Sequence, residues 1–150
     1  MRAPLLLLAA LGSAACSSSV ADPSGGPEPD VAPSIAAGCY ALQLGGTPSP
    51  DVSLPSLIEL SNDPAPGFAE SGRFAVREPG ANIRQAPVSS WVPLEAGGLE
   101  LTLGGGYTGY TFVLRRQGND WAGKGTYCAD FGLEPAPPLL PARLTPTSCP

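Results

Sequence analysis

The sequence predicts an all-β fold: a small antiparallel up-and-down barrel of about eight strands, with a β-sandwich as the alternative closure. Three observations carry that prediction. First, glycine and proline number nineteen each in 150 residues, and even the longest proline-free run, 94–134, is broken at Gly97, Gly98, Gly104, Gly105, Gly106, Gly109, Gly118, Gly123, Gly125 and Gly132. Each interior glycine costs a helix roughly 1 kcal/mol relative to alanine, so no long helix survives there. Second, the segments between breaks alternate apolar and polar residues with the period of two that marks half-buried strands. Third, with no helix to cover an apolar sheet face, the sheet must curl shut or pack on a second sheet.

The elements follow in chain order. In the first strand, 38–44, Tyr40, Leu42 and Leu44 share one face while Cys39, Ala41 and Gln43 share the other. A long loop, 47–55, sits at a barrel end and leads to a strand over 56–60, after which Asn62-Asp63-Pro64 reads as a reversal. Strand 72–77 points Phe74 and Val76 inward and ends at the turn former Glu78-Pro79-Gly80. Strands 90–94 and 98–103 meet at Gly97-Gly98, with Leu99, Leu101 and Leu103 inward. Strands 107–116 and 121–130 meet at Gly118-Asn119; both glycine pairs suit the positive φ of tight hairpins. The last strand, 139–144, follows a proline-rich segment. Pro141 removes a ladder donor and predicts an edge or an irregular closure. Gly109 marks a bulge or bend in the sheet.

Before the barrel comes an export address. Met1-Arg2 supplies a charged start, 5–11 an apolar run too short to span a bilayer, and Ser13-Ala14-Ala15-Cys16 a small-residue cleavage site. Ala14-Ala15-Cys16 resembles the lipobox of bacterial lipoproteins, which implies acylation of Cys16 as the mature N-terminus and anchoring in a membrane. Ser13 departs from the pattern, since that family usually has a branched aliphatic residue there; Ser13-Ala14-Ala15 equally suits an ordinary signal peptidase and a soluble secreted or periplasmic product. The organisation expected is a signal peptide over 1–15, a disordered Ser/Pro/Gly tether over 16–36 and one all-β domain over 37–150. A flexible tether of about twenty residues reaches roughly 25 Å. By the same resemblance, Ser17 behind the acylated cysteine implies sorting to the outer membrane of the cell envelope.

Gly38-Cys39-Tyr40 opening the first strand, with Trp121-Ala122-Gly123 in a later one, resembles the lipocalin and avidin group of up-and-down barrels. That group usually opens on Gly-x-Trp, where this chain has Tyr40. The resemblance implies a small ligand inside the barrel.

Charge and cysteine usage narrow the partners. Eight basic residues face thirteen acidic ones, and loss of the leader with Arg2 leaves a net charge of −6. Arg115-Arg116 is the one adjacent basic pair, so nothing resembles the phosphate-binding surface of a nucleic-acid protein. In an oxidising compartment the four cysteines should pair unless one is modified. If eight strands close up and down, the start of the first lies beside the end of the last, which predicts a Cys39–Cys149 bridge with Cys128 at the opposite rim. A Cys128–Cys149 bridge, or two bridges including Cys16 if no lipid is attached, are the alternatives.

Catalytic chemistry has little to build on. There is no histidine, which excludes Ser-His-Asp and Cys-His nucleophilic systems and imidazole metal sites. Glu95 and Glu100 beside the Gly97-Gly98 turn read as solubilising charge rather than as a glycosidase pair. No Cys-x-x-Cys or calcium-loop run occurs, so neither metal nor cofactor is expected. Gly104-Gly105-Gly106-Tyr107-Thr108-Gly109 satisfies Gly-x-Gly-x-x-Gly, but it continues into a strand rather than opening the helix a dinucleotide loop requires. The positive hint is aromatic. Tyr40, Phe74, Trp91, Tyr110, Phe112 and Trp121 lie in candidate strands and are the candidate lining of a pocket for an apolar or aromatic ligand. The competing expectation is that they fill the core of a structural or interaction module that meets another envelope protein; no enzyme is expected under either.

Overall fold

The structure, a computed structural model, describes residues 36–67, 71–79, 89–104, 107–129 and 138–150. The expected signal peptide, Cys16 and the expected tether up to residue 35 lie outside the described residues, as do Gly80, Gly105, Gly106, Asp130 and 131–137; Ala36, expected as the end of the tether, is buried in the core.

Eight strands follow one another: β1 (Gly38–Leu44), β2 (Leu57–Pro64), β3 (Phe74–Arg77), β4 (Ser90–Leu94), β5 (Gly98–Gly104), β6 (Thr108–Gln117), β7 (Asp120–Ala129) and β8 (Leu140–Thr147). Each pairs antiparallel with its sequence neighbours, and β8 returns to β1 from Cys39 opposite Thr147 to Leu44 opposite Ala142. The result is the closed up-and-down barrel, not the sandwich. A 3-10 turn, Glu95–Gly97, joins β4 to β5.

Alternation decides what fills the barrel. Tyr40 and Leu42, Ile58 and Leu60, Val76, Trp91, the three leucines of β5, Tyr110, Phe112 and Leu114, Trp121 and Tyr127, and Leu140, Ala142 and Leu144 form one buried cluster. A barrel of eight strands has an interior only wide enough for such side chains or one small ligand. At its waist Trp91, Leu101, Phe112, Gly125 and Leu140 stand in one row across five strands. Gly125 belongs there because the Phe112 ring lies over it. A Cβ at 125 would come within 2.5 Å of that ring, so the absent side chain is the space the aromatic occupies.

The β6–β7 hairpin pairs without interruption from Thr108 opposite Ala129 to Gln117 opposite Asp120. Its two-residue turn places Gly118 at φ 64, a region costly for residues with a Cβ. Gly109 sits in regular register between Gly104 and Cys128, so the expected bulge there does not occur. At the β4–β5 junction Gly97 takes the positive φ, whereas Gly98 is extended and already pairs with Leu94.

Two expectations about proline are corrected. Asn62-Asp63-Pro64 does not reverse the chain: β2 continues through it, and the register shifts between Leu60 opposite Val76 and Pro64 opposite Phe74. Ser61 drives that bulge locally, its Oγ accepting the Asp63 N–H at 3.0 Å, while its carbonyl takes the Trp91 indole N–H at 2.8 Å. Nor is the strand holding Pro141 an edge, because β8 pairs on both sides. The N–H and C=O of one strand residue point to the same neighbour, and the Pro141 carbonyl accepts from Gly45 N–H at 2.8 Å. The missing donor therefore faces chain beyond the last residue of β1, where the ladder has ended.

Closure brings Cys39 and Cys149 together as a disulfide with Cα atoms 5.3 Å apart, spanning 110 residues. It staples one end of the barrel, called here the disulfide end. Cys128 remains a free thiol near the other end, called the mouth. Burial pushes that thiol's pKa up, away from the thiolate that would make it reactive.

Candidate functional site at the barrel mouth

The six aromatics expected to line a pocket do not form one lining. Tyr40 and Trp121 stand toward the disulfide end, paired with Pro146 and Leu144 of β8. Phe74 packs on Trp91 with ring centroids 5.0 Å apart, and Trp91 shares the waist row with Phe112. Tyr110 alone of the six lies at the mouth. All but the partly buried Phe74 are buried, and Ile58, Leu99, Leu101, Phe112, Leu114 and Leu144 have no exposed surface at all. A side chain without accessible surface borders no void the size of a water molecule. From the waist to the disulfide end, these residues leave the interior packed.

The mouth is different because a connecting loop completes it. Residues 45–56 join β1 to β2 and carry Pro48, Pro50 and Pro55, which limit how the loop can bend. Val52 of this loop is buried in the barrel core, and Leu54 packs against it. The loop is pinned by hydroxyls from the opposite wall. Tyr110 and Tyr127 are direct cross-strand partners on β6 and β7, with ring centroids 5.5 Å apart in an edge-to-face arrangement. Ser49 N–H donates to the Tyr110 hydroxyl at 2.9 Å. The Tyr127 hydroxyl donates to Asp51 Oδ2 and the Ser49 hydroxyl to Asp51 Oδ1.

This clamp is also an electrostatic arrangement. The hydrogen bonds from Ser49 and then Tyr127 stabilise the Asp51 carboxylate and hold its pKa below the ordinary value. The same Asp51 bond raises the pKa of Tyr127, because the phenolate would lose its acceptor and face a negative charge. At neutral pH a phenol therefore donates to a carboxylate. Sequence reading missed Asp51, Ser49 and Val52, and covered Tyr127 only as part of the expected strand 121–130. The available signal was Val52 and Leu54 spaced by two inside a proline-rich loop, an apolar pair that a solvated loop does not need.

On the outer wall a second polar constellation serves the fold. Arg73 is buried at 6 % exposure, donating from Nε to Ser90 Oγ and from its two terminal nitrogens to Glu100 Oε1 and Thr102 Oγ1 at 2.8, 2.8 and 3.1 Å. With each of its three nitrogens donating to the wall, this cation is a brace between strands. Glu100, considered above with Glu95 as a carboxylate pair, is occupied by it. Among the described residues no group of three or more histidine, cysteine, aspartate or glutamate side chains gathers as metal ligands would. The chain matches no known protein-family model, no curated protein and no solved structure.

Proposed function

We propose that this chain is an exported, non-enzymatic module, held at the cell envelope by an acylated Cys16, whose barrel takes a small apolar or aromatic ligand at its mouth. The observation that supports the ligand reading is Val52. A connecting loop, rather than a strand, supplies that part of the core, and a loop segment can leave at lower cost than a strand held by two ladders. The packed waist and disulfide end support the mouth, under residues 45–56, as the end for that ligand. Membrane attachment through the lipid, sorting to the outer membrane and the absence of a nucleic-acid partner rest on the N-terminal motif and the acidic charge described above.

A second reading has its own observation. The zero exposure of Leu101 and Phe112 at the waist favours a barrel whose interior is wholly structural and whose outer face meets an envelope protein. Tryptophan emission, titrated against a panel of apolar and aromatic compounds, separates the two. Saturable change that is lost in Tyr110→Ala, at the mouth, supports the ligand module; no change across the panel, with an unaltered melting temperature, supports the filled barrel. The anchor is tested by intact mass of the mature protein, which carries a diacyl or triacyl increment on Cys16 under this proposal and none if the product is soluble.

A further inference from the structure

The mouth loop presents to the barrel two chemically distinct pieces in adjacent residues: a carboxylate on Asp51 and an apolar side chain on Val52. The carboxylate accepts the Tyr127 hydroxyl proton; the side chain is buried in the core at 6 % exposure. Behind them, the register sets Leu103, Tyr110 and Tyr127 in one row. No arginine or lysine hydrogen-bonds or pairs with Asp51 among the described residues. The barrel's donor to it is the Tyr127 hydroxyl, the second donor being the loop's own Ser49, with an apolar body alongside.

We infer that the 45–56 loop is a built-in pseudo-ligand, with Asp51 as head and Val52 as tail, and that the ligand it stands in for is a small apolar monocarboxylate. This rests on the ligand-module reading above and names the chemistry of its site. When the loop withdraws, Tyr127 loses its acceptor and Tyr110 loses the Ser49 N–H. The two phenols are direct cross-strand partners; Tyr127 donates to an incoming carboxylate as it does to Asp51, with the released Tyr110 hydroxyl beside it, while an acyl or aryl body replaces Val52 and Leu54 against the leucines. A neutral alcohol of the same length supplies the body but no anionic acceptor, and hydrogen bonds to an ionised acceptor are roughly twice as strong as neutral ones. Because the loop competes for the same groups, the closed form lowers apparent affinity in proportion to the fraction of molecules that are open.

The test is calorimetric titration of octanoate and octan-1-ol into the folded domain with its disulfide intact, using wild type, the double variant Asp51→Ala/Val52→Ser, and that variant with Tyr127→Phe added. The expected result is octanoate binding at least tenfold tighter to the double variant than to wild type. Adding Tyr127→Phe should remove at least tenfold of that gain and leave octan-1-ol unchanged. Equal binding of acid and alcohol, indifferent to Tyr127→Phe, overturns the pseudo-ligand and leaves the ligand module standing. No binding of either compound to any folded variant overturns both.

Should the double variant fail to fold, octanoate titrated into the wild-type protein decides. Displacement of the loop shifts the amide resonances of Ser49 and Val52 and speeds exchange of the Ser49 N–H as it leaves Tyr110. Saturation with those amides unmoved, or no saturation, overturns the inference.

Discussion

The two sides of this barrel are held together by different means. From β5 through β8 to β1 the wall is made by backbone ladders. The β6–β7 hairpin pairs along its whole length, and β8 is stitched to both neighbours. Across β2, β3 and β4 the ladders thin out. β3 is four residues long, meets β4 only at Phe74 opposite Trp91 and Ala75 opposite Ser90, and meets β2 across a register shift. Side chains make up the deficit there. Arg73 ties the start of β3 to β4 and β5, Trp91 reaches the Ser61 carbonyl, and Arg77 bridges to Glu59 and Asp63. A short strand can thus stand in a closed barrel where a buried cation, bonded through each of its nitrogens, replaces the missing backbone bonds.

Breaking the well-laddered side should cost most. Phe112→Ala removes the ring that fills the waist and uncovers Gly125, and a large-to-small change at a fully buried aromatic costs about 3–5 kcal/mol; urea unfolding measures it. Gly125→Phe in the same background refills the space from the neighbouring strand and should recover part of the loss. Next, the disulfide at the β1–β8 closure contributes roughly 2–4 kcal/mol. Cys39→Ala/Cys149→Ala should fall by that amount in chemical unfolding and still give the same β-type circular dichroism.

The sparsely laddered side should fail locally before it fails globally. Arg73→Ala leaves Glu100 without its cation and Ser90 and Thr102 without their donors, at a cost of about 2–3 kcal/mol. That is less than for a fully buried pair, because Glu100 retains 27 % exposure. Amide exchange should accelerate at Ala75 and Ser90 while β6 and β7 keep their protection. Arg77→Ala, by contrast, breaks bridges whose arginine is half exposed and should cost below about 1 kcal/mol. Equal effects for the two arginines would remove the distinction between brace and surface pair.

The smallest global effect should come from pH, acting on the loop that spans the two sides. Asp51 has a folded pKa below its unfolded value, so its contribution is present above the ordinary carboxylate range and is lost as pH falls through the folded value. Tyr127 is raised, so its contribution is present below the ordinary phenol range and is lost as pH rises through its folded value. The loop should be held most firmly between those limits. Exchange at Ser49 N–H is expected to accelerate on acidification below the carboxylate range while the β6–β7 amides remain protected; Asp51→Asn should abolish that acid step.

Legibility followed the same division. β1, β5, β6 and β7 stand within one or two residues of where the alternation puts them, because an inward leucine or aromatic every second position is a pattern the barrel must honour. The bulge in β2 escaped, since Asn62-Asp63-Pro64 has the composition of a turn and only the pairing with β3 reveals that the strand continues. Of the site, Tyr110 and the aromatic character of β7 were readable. Asp51 was not: one acid in a polar loop carries no mark of the phenol it will meet from a residue 76 positions away.

Glycine and proline spacing and the two-residue period determine by themselves that this chain makes strands rather than helices and which face of most strands is apolar, because those are local steric and solvation preferences. Which strand meets which end of the barrel, that Arg73 serves as a brace, and that a connecting loop closes the mouth with Val52 and Asp51 were decided by the tertiary structure. Those features depend on groups far apart in the chain meeting at hydrogen-bonding distance, and closure of the β1–β8 seam is what brings them there.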